Sequence, residues 1–297
     1  MKDKLFKRTL IVSIFLTAII LIFFLPLVFS GKLILNPILI TLGPLEIRWY
    51  GLLIASGIFI SFYLANDTAK KWGISEDDLS NAVVIGIFFS IIGARLYYVV
   101  FNWDIYSKMP SEIYKIWHGG MAIHGGILGA LLSVFLYTKL KKNVTFNFLT
   151  GLDLLAHVLP LGQAIGRWGN FVNYEAYGAP TELPWKMFVP KPYRMPGYEK
   201  FEYFHPTFLY ESLWNLGIFL FLFYYARNRK KFDGEIISLY LILYSSGRAW
   251  IELLRTDSLM FLGMKVAVLI SILFIIIGIF MYFILKKKTN NSKGGIL

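Results

Sequence analysis

The chain has 297 residues, of which 57% are hydrophobic and 16% charged. A soluble domain carries about 25% charged residues, so this composition excludes an ordinary soluble enzyme and points to the bilayer. The formal charge is +12 and there is no cysteine, which excludes disulfides, a thiolate nucleophile and a cysteine-ligated metal.

The apolar residues fall in eight blocks: 10–29, 50–65, 82–101, 121–137, 148–165, 208–226, 236–254 and 264–285. Each is about as long as a bilayer-spanning helix, which needs roughly 20 residues. Most lack the period-2 alternation of a barrel strand, so they read as helices. Lys2, Lys4, Lys7 and Arg8 precede the first block, and Val28-Phe29-Ser30 at its end has the look of a signal-peptide cleavage site. The apolar run exceeds the roughly 7–15 residues usual for a signal peptide, which favours a retained anchor helix over residues 1–31. Either reading puts Gly31 outside. The later basic clusters are Lys70 and Lys71; Lys139, Lys141 and Lys142; Arg227, Arg229, Lys230 and Lys231; and Lys286 to Lys288. If every block spans, all of them share one side with the N-terminus. Basic short loops favour the cytoplasm, so both termini are expected inside. Topology and anionic lipid account for the positive charge. Charges scattered over five short loops make a weak nucleic-acid footprint, and no nucleic-acid partner is expected.

Two outer segments are longer than the rest, 101–120 and 166–206. Long loops are usually functional or disordered. The second carries Pro180, Pro184, Pro190, Pro192, Pro196 and Pro206 among Trp185, Tyr193, Tyr198 and Tyr203. Its aromatic content predicts an ordered cap at the membrane interface. The polar stretch 289–297 reads as a flexible tail.

Several ionisable residues lie within or at the ends of the blocks: Arg95, His124, Asp153, His157, Arg167, Glu211, Arg248, Glu252 and Arg255. A mid-bilayer Arg or Asp costs about 3 kcal/mol on insertion scales, so such residues are candidates for function. The plain alternative for each is an ion pair joining two helices. Arg248 and Glu252 are spaced i, i+4 and Glu252 and Arg255 i, i+3, so the three share a helix face. A carboxylate between two arginines can orient both and leave donors free, and clustered guanidinium forks suit a phosphate. His157 lies four residues after Asp153, a spacing open to a structural or proton-relay pair.

The densest signal runs from Gly162 to Gly178. Gly162, Gly166 and Gly169 are spaced four and three, and Arg167, Asn170, Asn173 and Glu175 follow within nine residues. Small-residue helix packing accounts for Gly162 and Gly166 but not for four polar groups. The second signal is His118-Gly119-Gly120-Met121-Ala122-Ile123-His124-Gly125-Gly126. Its glycine pairs leave His124 uncrowded, and neutral imidazole is a competent base near pH 7. No HExxH, GxxxxGK[ST] or GxSxG motif is present. Four scattered histidines argue against a metal site, and no cofactor is expected.

Together these segments resemble the bacterial prolipoprotein diacylglyceryl transferases. The resemblance starts near Gly43 and covers nearly all of the chain beyond it. It rests on Arg48-Trp49-Tyr50-Gly51, Gly93-Ala94-Arg95, His124-Gly125-Gly126, Gly166 through Glu175, His205-Pro206-Thr207-Phe208-Leu209-Tyr210-Glu211, and Tyr244 through Arg248 and Glu252 to Arg255. It implies an all-α polytopic membrane protein. A seven-helix core, 32–288, would be preceded by one extra hydrophobic helix, with an extracytoplasmic cap between core helices 4 and 5. The extra helix departs from the family's seven-span pattern.

The implied activity moves the diacylglyceryl group of phosphatidylglycerol to the lipobox cysteine of a prolipoprotein signal peptide. It would occur at the outer face of the bacterial cytoplasmic membrane. The roles the resemblance implies are His124 as base, Arg167 and Arg248 as phosphate clamps, and Glu252 as orienter of Arg248. Tyr50, Asn170, Glu175 and Gly178 would serve headgroup binding, with Arg95, His205, Tyr244 and Arg255 behind them. A lipid flippase using the same arginines is the main rival, but no paired discontinuous helices in two related halves are evident. A non-catalytic scaffold is the other, and the placing of His124, Arg167 and Arg248 at one side of the membrane speaks against it.

Overall fold

A computed structural model describes residue 19, residues 22–43 and residues 45–294. Most of the proposed anchor segment 1–31 lies outside the described residues; within it, 22–29 are helical. The main helices are α1 (Trp49–Lys71), α2 (Glu76–Phe101), α3 (Ile123–Leu140), α4 (Phe148–Ala156), α5 (Leu159–Val172), α6 (Thr207–Asn228), α7 (Glu235–Leu254) and α8 (Val266–Gly294). Among the described residues five are long and apolar enough to cross a membrane, namely α1, α2, α3, α6 and α8, or six if α4 and α5 make one span. The protein is therefore a mostly helical, multi-pass membrane protein. α7 has the length but not the hydropathy, because Ser245, Ser246, Arg248 and Glu252 dilute it.

The apolar blocks mark the helices but not their ends. α1 continues six residues past Ala65, because backbone hydrogen bonding does not stop where the apolar run does. α8 likewise runs to Gly294, through Thr289, where the sequence reading began a flexible tail. Block 148–165 is two helices rather than one. Pro160 cannot donate to the carbonyl four residues earlier, so the ladder breaks at His157 and Val158. Charges complement the helix dipoles: Glu76, Asp77 and Asp78 occupy the first turn of α2, and Lys70 and Lys71 the last turn of α1.

The chain divides into two compact units. The first gathers the residues up to Ile60, Pro160–Ile218 and Ile242–Ile276; the second gathers Ser61–Leu159, Phe219–Leu241 and the residues from Ile277 on.

In the second unit α2 and α3 pack through glycines. A Cβ on Gly93 would strike the carbonyl of Gly125, and one on Gly129 the carbonyl of Phe89. Close backbone approach of this kind holds helices together where no hydrophobic drive exists in lipid. Gly129→Val is expected to pry the pair apart and lower the unfolding temperature in detergent, read by thermal scanning; an unchanged midpoint would show that the contact is dispensable. Two buried carboxylates tie other elements of this unit. Asp78 accepts from Tyr137 Oη at 2.9 Å, Thr145 N at 2.8 Å and Lys141. Asp153 is fully buried, accepts from Gly234 N and Ile237 N at 2.8 and 2.9 Å, and lies 3.1 Å from Lys230. It thus caps the N-terminus of α7. The Asp153–His157 pair open at the sequence level does not form: His157 Nε2 meets Thr68 Oγ1 at 3.0 Å, and its ring stacks on Phe223. A residue four places on from a buried Asp lies at the C-cap of α4, where the broken helix turns it elsewhere.

The first unit contains structure that the apolar blocks conceal. β1 (Ile38–Leu42) and β2 (Leu45–Arg48) form an antiparallel hairpin that leads directly into α1. The segment after α5 folds around an aromatic cluster of Phe171, Tyr174, Tyr177, Phe204 and Phe208, with Val28, Met187 and Val189. β3 (Met187–Phe188) and β4 (Tyr203–Phe204) pair within it, and Tyr177 Oη donates to Tyr193 O at 3.0 Å. β5 (Met260–Phe261) and β6 (Met264–Lys265) make a small ribbon between α7 and α8.

Candidate active site

The first unit brings three arginines onto one carboxylate. Glu211, on α6, is buried, with 4% of its side chain exposed. Arg167 from α5 pairs with its Oε2, and Arg248 Nη1 from α7 lies 2.8 Å from its Oε1. Arg255 Nη1, just past α7, stands 3.7 Å from the same Oε1. Glu252 is one turn beyond Arg248 and equally buried; its Oε2 is 2.6 Å from Arg248 Nη2 and 3.7 Å from Arg255 Nε. Arg248 therefore grips two carboxylates with the two ends of one fork, as the i, i+4 spacing allows.

The third arginine is held from outside the helix. Arg255 donates to both oxygens of Asp257, at 2.9 and 2.7 Å. Burial works against ionisation of Asp257, but the bond and the charge of Arg255 outweigh it and keep the carboxyl below its usual range. Lys265, from β6, donates to the carbonyls of Glu252, Leu253 and Arg255 at 2.8, 3.1 and 2.7 Å. A lysine at a helix C-terminus satisfies carbonyls there, and this one also takes that of Arg255, just past α7.

A second set of polar groups adjoins Arg167. Its Nη1 is 3.3 Å from Asn170 Oδ1, and Asn170 Nδ2 donates to Glu175 Oε1 at 2.8 Å. Asn173 Nδ2 reaches the same oxygen at 3.3 Å. Glu175 is exposed and sits between Tyr174 and Ala176, whose φ values of 53° and 58° lie in the left-handed region. Such backbone is costly for residues with side chains and persists where surrounding contacts enforce it. Here it turns Glu175 back over the end of α5. Asn173 Oδ1 is buried with no hydrogen-bond partner among the described residues.

Three glycines let these parts meet. Gly169 leaves room for the Tyr50 ring, which a Cβ would overlap. Gly178 is wedged among His205, Thr207 and the Leu254 carbonyl, and its N–H donates to His205 O at 2.9 Å. Gly247 lies against the Trp214 indole, whose Nε1 donates to Leu243 O at 3.0 Å. That contact draws α6 and α7 together one turn from Glu211 and beside Arg248.

Of the residues singled out in the sequence, Tyr50, Arg167, Asn170, Glu175, Gly178, His205, Arg248, Glu252 and Arg255 belong to this unit. His205 Nδ1 lies 3.3 Å from Tyr210 Oη, and burial lowers its pKa. Tyr244 lies on α7, one turn before Arg248. His124 and Arg95 belong to the second unit. His124 is exposed in the first turn of α3, with its ring 6.0 Å from that of Tyr97. The glycines around it have other uses: Gly125 packs on Gly93, and Gly120 on Arg95 and Tyr98. Arg95 is buried and spends its donors on the carbonyls of Glu112, Ile113, Gly119 and Gly120, so it holds the segment leading to His124. Gly162 does pack closely, on Gly57, but Gly166 faces open space, so helix packing does not explain it.

Glu211 is the residue that sequence reasoning left out of the site. It was visible as an acidic group in an apolar block, but its role depends on three arginines distant in sequence. Asp257, Lys265 and Gly247 were missed for the same reason.

The arrangement suits an oxyanion of a lipid headgroup. Three arginines (Arg167, Arg248 and Arg255) share the carboxylates Glu211, Glu252 and Asp257, with Lys265 on the carbonyls at the end of α7. The carboxylates Glu211 and Glu252 are 4% exposed, whereas Arg167 and Arg248 are 19% and 18% exposed. The acids lie behind and the guanidiniums in front. Each guanidinium has five N–H donors, so Arg248 keeps donors beyond the one that bonds Glu211. This is a mostly helical, multi-pass membrane protein with a cluster of arginines held by buried carboxylates.

A family model described as prolipoprotein diacylglyceryl transferase matches residues 37–284, and the chain belongs to that family. It is similar to the phosphatidylglycerol–prolipoprotein diacylglyceryl transferase of Fervidobacterium nodosum, at 53% identity over 94% of this chain and 95% of that one. The protein of the same name from Thermotoga petrophila is 49% identical over 91% of this chain and 92% of its own. That of Clostridioides difficile is 45% identical over 85% and 96%.

Proposed function

We propose that this chain transfers the sn-1,2-diacylglyceryl group of phosphatidylglycerol to the lipobox cysteine thiol of a prolipoprotein. A thioether forms and glycerol phosphate is released, as the first step of lipoprotein maturation. The observation that carries the reading is the buried Glu211 with Arg167, Arg248 and Arg255 around it, in a member of this family.

The substrate sulfur forms a bond to the glyceryl carbon that carries the phosphate. The carbon–oxygen bond breaks, and its electron pair leaves with glycerol phosphate. Two things must be managed: the thiol proton and the charge on the leaving group. His124, exposed in the first turn of α3, takes the proton as general base. Arg167 and Arg248 hold the phosphate oxygens, with donors already aimed where charge develops. Glu211 and Glu252 set those guanidiniums in place. Tyr50, Asn170, Glu175 and Gly178 shape the headgroup pocket, and the unpaired Asn173 Oδ1 is an acceptor for a glycerol hydroxyl. Arg255, His205, Tyr244 and Arg95 support these groups.

In this reading the transferase domain spans 32–288 and has the family's seven helices. Residues 1–31 are an anchor or signal-like segment, 166–206 form an extracytoplasmic cap, and 289–297 are a cytoplasmic tail. The enzyme sits in the bacterial cytoplasmic membrane with the cluster toward the outside, where an exported cysteine and a lipid can meet.

The direct test is to incubate the purified protein with phosphatidylglycerol and a lipobox peptide and to follow the mass of the cysteine. A diacylglyceryl adduct is expected. Lipid redistribution without an adduct would support a flippase instead. His124→Asn is expected to cut adduct formation by about 10²–10⁴-fold, and near-full activity in that variant would remove the base assignment. Arg167→Ala should suppress phosphatidylglycerol turnover; undiminished turnover would rule out the clamp.

A further inference from the structure

The segment 24–35 takes no part in the proposed chemistry, yet it is built into the core of the first unit. Val28 is 1% exposed and belongs to the aromatic cluster, and Phe24, Leu25, Phe29 and Leu35 pack against that cluster. Phe29 meets Phe171 of α5 and Phe208 of α6 edge-on, with ring centroids 5.9 and 6.2 Å apart. The segment also makes a polar contact just past α5: the N–H of Leu35 donates to Tyr174 Oη at 2.6 Å.

Tyr174 is an unusual residue for its place. Its φ of 53° is left-handed, where Gly, Asn or Asp is the ordinary choice and a bulky side chain is an outlier. Tyr174 is 2% exposed, and its ring lies 5.0 Å from that of Tyr193. Burial, the Tyr193 ring and the Leu35 bond hold the strained backbone from the side-chain end. The strain sets the direction of the next residue. Glu175 N donates to Asn170 O at 3.0 Å, and Glu175 Oε1 accepts from Asn170 and Asn173. Asn170 in turn touches Arg167. A path of contacts therefore runs from Leu35 through Tyr174 and Glu175 to the arginine cluster. Phenylalanine would fill the same space, so packing explains the ring but not the hydroxyl. Glycine would take the turn without strain, so the turn does not explain the ring.

We infer that Tyr174 is a positioning residue. By gripping the backbone of Leu35 it holds the left-handed turn that places Glu175, Asn170 and Asn173 for the glycerol headgroup of phosphatidylglycerol. The segment before β1 thereby becomes part of the site rather than a tether. The inference rests on the transferase reading.

The test is Tyr174→Phe in the full-length chain, with adduct formation timed against phosphatidylglycerol and against the lipobox peptide separately. KM for phosphatidylglycerol is expected to rise by about three- to tenfold, the effect of one net hydrogen bond. KM for the peptide should stay level, and kcat should stay near wild type because Arg167 remains paired with Glu211. A fall in unfolding temperature with both KM values unchanged would make the bond purely structural and overturn the inference, as would a wild-type profile throughout. Tyr174→Gly relaxes the backbone, so a wild-type KM in that variant would assign the position to turn geometry alone and overturn it too. The double variant Tyr174→Phe/Glu175→Gln asks whether the effect passes through Glu175. Its KM is expected to rise by less than the product of the two single effects, as it does for coupled residues; the full product overturns the inference. A wild-type chain that forms no adduct would fail the transferase reading itself. Calorimetry with glycerol phosphate, the proposed leaving group, then decides the inference separately: weaker binding by Tyr174→Phe upholds the positioning role, and equal binding removes it.

Discussion

Glu211→Gln is expected to lower kcat for diacylglyceryl transfer by at least about 100-fold, or roughly 2.7 kcal/mol of transition-state stabilisation. It should also destabilise the fold. Glutamine keeps the shape and removes the charge, so the effect isolates the electrostatics. Two opposing consequences follow from the geometry. The cluster becomes more positive, which favours a phosphate in the ground state. Yet Arg167 and Arg248 come from different helices and are joined through the two oxygens of this one carboxylate. Without it, like charges at close range spread apart. Removing one partner from a buried ion pair costs about 3–5 kcal/mol, and Glu252 compensates only part of that because it contacts Arg248 and Arg255 but not Arg167. Preorganisation is what separates transition-state from ground-state binding, so orientation outweighs the added charge. The signature is a split: kcat falls while KM for phosphatidylglycerol stays level or drops. A fall in unfolding temperature with kcat intact would make Glu211 purely structural, and no change in either would remove it from the site.

Much of the architecture could be read from the sequence because lipid permits few solutions. Apolar blocks of the right length must be helices there, and the blocks 50–65, 82–101, 121–137, 208–226 and 264–285 each lie within or largely overlap one helix. What escaped was set by single residues or by distant partners. Pro160 divides one block into α4 and α5, a break that block hydropathy averages away. The hairpin Ile38–Leu42 with Leu45–Arg48 is short and adjoins an apolar helix, so its strand signal is submerged. The site divides along the same line. The spacing of Arg248 and Glu252 put both on one face of α7, and they pair; Arg255, expected on the same face, lies past the end of the helix and still reaches Glu252. Asn170, Asn173 and Glu175 were visible as a local polar group, and they do bond one another. Glu211 bridges α5, α6 and α7, and no local spacing encodes a bridge. Gly125 shows the converse. Its place beside His124 suggested room for a catalytic imidazole, whereas it packs on Gly93 of α2.

Arg248→Lys is expected to be nearly as damaging as removal of the side chain, although the charge is conserved. Arg248 touches Glu211 with Nη1 at 2.8 Å and Glu252 with Nη2 at 2.6 Å. One planar group thereby spans carboxylates on two helices and still presents donors outward. A lysine ammonium is a point charge on a flexible stem and has no rigid fork. It can satisfy one carboxylate well, but it leaves the other short of a partner in a buried site and offers a phosphate fewer fixed donors. Loss of a preorganised donor at developing negative charge costs about 10²–10³ in kcat. Arg248→Lys should fall in that range when diacylglyceryl transfer to a lipobox peptide is timed under saturating lipid. Electrostatics alone would predict the opposite, with most activity kept, so the two accounts separate in one assay. If Arg248→Lys retains more than about a tenth of wild-type turnover while Arg248→Ala does not, charge rather than fork geometry is what the site requires. The preorganised clamp then gives way to simple attraction.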